Sequence, residues 1–327
     1  MTDKTLSTIT DEILSGVRKT ISMTEALALS AREGEDIFDL LACSNQIRRR
    51  FKNNHVFSCA ITNAKSGRCS QDCAFCAQSA HHDTGVKTYP LLETDILVEN
   101  ALIAHENGAS NYSIVTSGHM LSMPEIDRVC LAVTEIRKKT DLTVCASLGE
   151  LNKDMARQLK QSGVTNYHHN LETARSYFRE ICTTHDYEED IETIKEASAA
   201  GLRVCSGGIL GLGESWEQRI ELSMILRDLK VESIPLNFLN PIPGTRLENQ
   251  PIMKPMEALK AIAIFRMMNP EKDITICGGR EITLKDFQSW VFMAGANGLM
   301  IGNYLTTQGR SMEMDRQMIQ DLGLSVL

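Results

Sequence analysis

After about residue 54 the chain alternates short apolar runs of strand character with longer stretches whose apolar residues recur every three or four positions. The strand-like runs are "HVFSCAIT", "NYSIVTS", "LTVCASL", "NYHHNLE", "LRVCSGGIL", "SIPLNFL", "DITICGG" and "GLMIGNY". Between them, segments such as "TDILVENALIAHENGA", "DMARQLKQSGV", "DIETIKEASAAG" and "MEALKAIAIFRMMN" have one apolar face, and several reach a Gly where a helix would hand over to a strand. Eight alternations of strand and helix predict an α/β fold, a (β/α)8 TIM-type barrel, closed or partly open. Ahead of it, "STITDEILSGV" offers Ser and Thr caps before an apolar helical spacing, and "EDIFDLLACSNQI" repeats that spacing. These patterns divide the chain into a helical N-terminal extension over 1–54 and one barrel domain over 55–327, with no linker between them.

Composition adds bounds. In 327 residues, 43% are hydrophobic and 23% charged, as in ordinary globular chains, and no apolar run nears the roughly 18 residues of a membrane span. The amino terminus is acidic early and lacks the basic-then-apolar order of a secretory leader, so a cytoplasmic location is expected. A net charge of −8 without a long basic stripe argues against nucleic acid and membrane surfaces, and "IRRRF" at Ile47 to Phe51 reads as a solvated helix face. Ten cysteines in a reduced intracellular chain call for metal or chemistry rather than disulfides. Cys43 and Cys130 lie in helical apolar patterns and read as small core residues.

The sharpest feature is "GRCSQDCAFCAQS", which gathers Cys69, Cys73 and Cys76 just after the first expected strand. The loop there opens on the carboxyl face of a barrel, where barrel enzymes keep their chemistry. Three thiolates can hold three irons of a [4Fe–4S] cube and leave the fourth iron free for a small-molecule ligand. Two other readings stand beside this one. Cys73 and Cys76 alone could form a redox dithiol, and the three cysteines with His81 or His82 could close a tetrahedral zinc site. The spacing Cys-x3-Cys-x2-Cys, with Phe75 before the last Cys, resembles that of the radical S-adenosylmethionine (SAM) superfamily. That resemblance implies that SAM chelates the open iron and is cleaved, by an electron from the cluster, to methionine and a 5′-deoxyadenosyl radical.

The likeness extends over roughly residues 40 to 325. "TGVKTYPLL", "YHHNLETARSYF", "RVCSGGILGLGES", "IPLNFLNPIPGTRL" and "GGREITLKDFQSWVFMAGANGLMIGNYLTTQG" together resemble the biotin synthase family. The resemblance implies a sulfurtransferase that inserts sulfur between two unactivated carbons of dethiobiotin. It also implies a homodimer served by a low-potential electron donor such as flavodoxin or ferredoxin. It places Phe75, Asn170, Glu172, Gly208 and Gly211 along SAM, and Asn237 and His168 beside the substrate. Read without it, Asn170 is equally a strand-end cap, and the glycines of "SGGILGLGE" are turn residues lacking the order of a dinucleotide site. Glu172 stands where the family usually has Asp, and His168 where it commonly has Asn.

The same resemblance implies a second, sulfur-donating [2Fe–2S] cluster held by three cysteines and an arginine. Cys145, Cys205 and Arg280 match three of those positions, but the fourth is Ser113, and a serine oxygen suits iron less well than a soft thiolate. Cys59 and Cys277 lie on other expected strands and can point into the same layer. The expectation is therefore an auxiliary cluster of four-iron type on Cys59, Cys145, Cys205 and Cys277. The alternatives are a [2Fe–2S] centre that keeps Arg280, or Cys59 and Cys277 as mere core fillers. Cys182 is not expected to take part. Other radical SAM enzymes of small-molecule biosynthesis, akin to hydrogenase maturases or methylornithine synthase, and a non-enzymatic iron–sulfur scaffold are the competing functions.

Overall fold

The short apolar runs pair side by side in chain order, all parallel, because each crossover helix returns the chain to the same edge. The computed structural model describes residues 5–326. The strands β1 (His55–Lys65), β2 (Asn111–Thr116), β3 (Thr143–Ser147), β4 (Asn166–His168), β5 (Arg203–Cys205), β6 (Gly208–Leu210), β7 (Ser233–Phe238), β8 (Asp273–Ile276) and β9 (Gly298–Met300) form one sheet, and β9 pairs with β1 to close it. All eight expected strand positions are filled, so the barrel is closed.

Two details differ from the periodic pattern. The run "LRVCSGGIL" is not one strand but β5 and β6, broken at Ser206 and Gly207. There the chain passes so close to β7 that a Cβ on Gly207 would lie 1.9 Å from the Pro235 carbonyl oxygen. A last short strand, β10 (Ser325–Val326), pairs with the start of β1 at His55 and Val56, beneath the barrel.

Three helices, Leu6–Leu14, Met23–Ser30 and Asp36–Lys52, precede β1 and share the barrel's apolar core. They lie over the helix Pro255–Met268, which explains why that helix is buried along almost its whole length. Polar ties fasten them: Lys260 Nζ donates to the Ser30 and Arg32 carbonyls (2.5 and 3.0 Å), and Ser44 Oγ to the Ala294 carbonyl (2.7 Å). In "IRRRF" only Arg49 and Arg50 face solvent. Arg48 is buried, its guanidinium holding Asn45 and the Asn53 carbonyl, so the expectation of a wholly solvated face is corrected. Among the described residues no helix is long and apolar enough to cross a membrane.

Candidate functional site

The cysteine loop leaves the end of β1 and folds back on itself. Gln78 is its pivot: the side-chain carbonyl accepts from Ser66 Oγ (3.0 Å) and the Gly67 amide (3.2 Å), while its backbone carbonyl accepts the Cys69 amide (2.9 Å). Asp72 fixes the far side of the loop on the segment 182–185, accepting from the Thr183 amide (2.8 Å) and hydroxyl (2.6 Å). Burial opposes ionisation of Asp72, but these hydrogen bonds outweigh it and hold the carboxyl well below the usual range. Among the described residues, no three thiols bring their sulfurs within the 4.8 Å that ligands of one ion would span. His81 Nε2 bonds to the Ser70 carbonyl and His82 Nδ1 to the Cys76 carbonyl, and neither ring joins the cysteines in a group close enough for one ion among the described residues. Three thiols on one ordered loop, spread wider than a single ion allows, fit a cube of irons.

Cys182, set aside on sequence grounds, stands beside this loop. Its sulfur is 3.9 Å from that of Cys73, and 3.2 Å from His185 Nδ1. In the metal-free site the hydrogen bond from Cys73, helped by His185, brings the Cys182 thiol down to about 4. His185 is itself lifted to about 10: burial opposes its charge, but bonds to Asp190 and Cys182 prevail. Asp190 grips His169 as well (2.8 Å), which links the end of β4 to the cysteine loop.

Loop and strand ends enclose an upper cavity of about 440 Å³. Cys69, Cys73, Cys76 and Phe75 of the loop line it together with Asn170, Glu172 and Asn237 from the strand ends. Asn170 spans two backbones, its Oδ1 accepting the Gly207 amide (3.2 Å) and its Nδ2 donating to Glu172 (3.3 Å). Glu172 sits in left-handed backbone at φ 60°, and burial, aided by the nearby Asp190 charge, raises its carboxyl to about 8. Asn237 Oδ1 accepts the Gly278 amide (3.0 Å). Gly208 and Gly211 do not line the cavity. Gly208 is small because a Cβ would lie 2.4 Å from the Glu172 carbonyl oxygen, a strand contact rather than a cofactor contact, and Gly211 donates its amide to Glu214 (2.9 Å). His168 lies lower, at the cavity floor, and burial takes its imidazole down to about 4, so it is neutral.

Below that floor is a second cavity of about 1000 Å³, lined by Cys59, Cys205 and Cys277. His168, Pro235, Cys277 and Met300 line both cavities and form the partition. Strand alternation turns Cys145 into the same interior, since Ser147, two residues on, lines the upper cavity. Burial pushes Cys59 and Cys205 up to about 12 and Cys145 and Cys277 well beyond the usual thiol range. Proximity adds to this: Cys59 and Cys205 each oppose ionisation of both Cys145 and Cys277. Four buried thiols from four strands thus crowd one space. Ser113 pairs with Cys145 across β2 and β3, fully buried, with its hydroxyl unpartnered among the described residues.

Arg280 lies near enough to Cys277 for its charge to favour ionisation of that thiol, although it lines neither cavity. Its terminal nitrogens donate to Asp315 (2.5 Å) and Gln288, while its buried Nε has no hydrogen-bond partner among the described residues. At the rim, His119 and Glu150 approach to 3.3 Å, and with exposed Glu189 they form the one His/Cys/Asp/Glu group close enough for an ion among the described residues. Sequence reading passed over His119, Glu150, His185 and Asp190. His169 lies within "YHHNLE", but its partner Asp190 comes from the helix Tyr187–Ala199, and no local pattern marks that meeting.

Comparison with known proteins gives consistent likenesses. Residues 64–224 match the radical SAM superfamily, and residues 235–325 match the Biotin and Thiamin Synthesis associated domain. The chain is 54% identical over 318 residues to the biotin synthase of Syntrophus aciditrophicus, covering 97% of this chain and 98% of that protein. It is 53% identical over 324 residues to the biotin synthase of Geotalea uraniireducens, covering 99% and 98%. Among solved structures, methylornithine synthase superposes with a TM-score of 0.85 at 16% identity, covering 98% of this chain and 97% of that one. The hydrogenase maturase HydG of Carboxydothermus hydrogenoformans gives 0.83 at 15%, covering 98% and 79%. At such identities these two likenesses speak for the barrel alone.

Proposed function

Because the chain belongs to the biotin synthase family of radical SAM sulfurtransferases, we propose that it inserts sulfur into dethiobiotin from an auxiliary iron–sulfur cluster held by Cys59, Cys145, Cys205 and Cys277. The observation that carries this reading is the stacking of two thiol groups in one barrel: three on the loop above, four buried beneath, and a cavity between them. When bound, the upper [4Fe–4S] cluster with SAM supplies the hydrogen-abstracting radical, and the auxiliary cluster supplies sulfur.

The chain's own residues do the rest. Cys69, Cys73 and Cys76 hold the upper cluster. Phe75 on the loop and Asn170 with Glu172 on the strand ends line the space for SAM. Because Glu172 retains its proton to about 8, it can donate to a ribose hydroxyl as well as accept from one. Asn237, locked by the Gly278 amide, and neutral His168 bound the substrate space just above the thiols, and neither sets a net charge there. Four thiols in the lower interior support a four-iron centre, with the terminal nitrogens of Arg280 donating to Asp315 and Gln288. A cytoplasmic homodimer reduced by a flavodoxin or ferredoxin completes the proposal.

The test is an anaerobic assay of reconstituted protein with SAM, dithionite and dethiobiotin, following 5′-deoxyadenosine and biotin together. Both products are expected. In Cys59→Ala and Cys277→Ala, 5′-deoxyadenosine should persist while biotin and auxiliary iron are lost. An auxiliary centre of two irons indifferent to both substitutions overturns the ligand set.

A further inference from the structure

Cys59 and Cys205 line the lower cavity and do not line the upper one. The lower cavity runs from these buried sulfurs to an exposed rim at the amino-terminal ends of the strands, where Asn53, Asn107, Arg203, Arg316 and Gln320 meet solvent. We infer that this lower cavity is an entrance through which hydrosulfide reaches the auxiliary thiols from beneath the barrel, independently of the mouth that admits SAM and dethiobiotin. The inference rests on the auxiliary-thiol reading above and adds to it the direction of supply.

Three observations support an entrance over a sealed void. The volume, about 1000 Å³, is more than twice that of the upper cavity, far beyond ordinary packing defects. Its wall is mixed, with unsatisfied polar atoms set among apolar side chains: Asn166 Oδ1 and Thr275 Oγ1 are buried, line the cavity and find no hydrogen-bond partner among the described residues, and Ser233 lies beside the Cys205 sulfur. A cavity lined by orphaned polar atoms is one that water fills, whereas dry cavities are apolar. The mouth is also held in shape. Asp273 at its edge binds Lys52 (2.9 Å) and Arg203 (3.5 Å), joining β8, β5 and the helix Asp36–Lys52.

A small anion can pass along such a hydrated channel without being stripped of water. The upper route is worse placed, because SAM and dethiobiotin together would fill the upper cavity and sit over the partition made by His168, Pro235, Cys277 and Met300.

Arg316 and Gln320 lie one turn apart on the exposed side of the helix Met312–Asp321, so large side chains there can narrow the lower mouth without entering the core. The experiment compares Arg316→Trp, Gln320→Trp and the exposed upper-rim change Thr306→Trp with the parent, each first checked for an unchanged thermal transition. Metal-free full-length protein is treated with methyl methanethiosulfonate, and each cysteine's labelling is timed by peptide mass. Loaded protein is carried through one turnover and then refilled with sodium sulfide and ferrous ammonium sulfate.

The lower substitutions should slow labelling of Cys59 and Cys205 several-fold, leave Cys69 and Cys76 at the parent rate, and slow refilling while the first turnover is unchanged. Thr306→Trp should leave Cys59 and Cys205 unaffected. Parent rates for Cys59 and Cys205 in both lower variants, or slowing by Thr306→Trp instead, would overturn the entrance. Failure of the auxiliary-thiol reading is distinguishable, since it would show in the iron counts of the Cys→Ala variants whatever the labelling rates.

Discussion

Glu172 shows how one side chain can carry both a cofactor contact and a cost. An unfolded Glu releases its proton near about 4.3, whereas folded Glu172 keeps its proton to about 8 under the influence of burial and of Asp190. Folding without SAM therefore takes up a proton between those values, and stability present in acid is lost as the pH rises through 8. Glu172→Gln should remove that loss: its stability, compared with the parent across pH 5 to 9, should gain on it up to about pH 8 and level off beyond, by about 4 kcal/mol. A constant offset would mean that the carboxyl titrates normally. At this scale the cysteine loop is legible in the chain because its three ligands sit within eight positions. Cys182 is not, because what makes it notable is a sulfur more than a hundred residues away. Nor is the partner of Arg280 legible: Asp315, 35 residues on, takes one of its terminal nitrogens.

Among elements, β5, β6 and β7 cross with no room to spare. Gly207 has no space for a methyl group against the Pro235 carbonyl, and Gly208 has none against that of Glu172. Gly207→Ala should force β7 outward and cost about 3 kcal/mol or more, read as a lower thermal midpoint. The same shift would move Asn237, which β7 carries, so KM for dethiobiotin should rise in whatever fraction folds. The eight strands are legible because apolar runs and amphipathic stretches differ in period, and both periods survive whatever the side chains later touch. The break in the fifth strand is not, because it is imposed by a neighbour's carbonyl and leaves only a pair of glycines, which turns also carry. β10 is only two residues long and has no period to read.

At the scale of the whole molecule, the buried pair of Arg280 and Asp315 joins the carboxyl end of β8 to the helix that borders the lower mouth. Removing one partner leaves an uncompensated charge in the interior, so Asp315→Leu should cost about 3–5 kcal/mol, and Arg280→Met with Asp315→Leu should recover much of that. Denaturant unfolding of the two single variants and the double measures it. Auxiliary iron should be unchanged in the double variant; a loss there would return Arg280 to the ligand set. The cavities themselves cannot be read from the chain, since each is walled by residues drawn from nearly every strand, and emptiness leaves no mark in a sequence.

The partition of His168, Pro235, Cys277 and Met300 has a consequence for timing. A vessel with one opening must be emptied before it is replenished, and the two delays add. With an opening on each side of a wall, discharge above and restocking below run concurrently, and only the slower sets the pace. Scarcity of sulfur and scarcity of SAM would then halt the catalyst in two different compositions, one depleted beneath a filled upper chamber and the other stocked beneath an empty one.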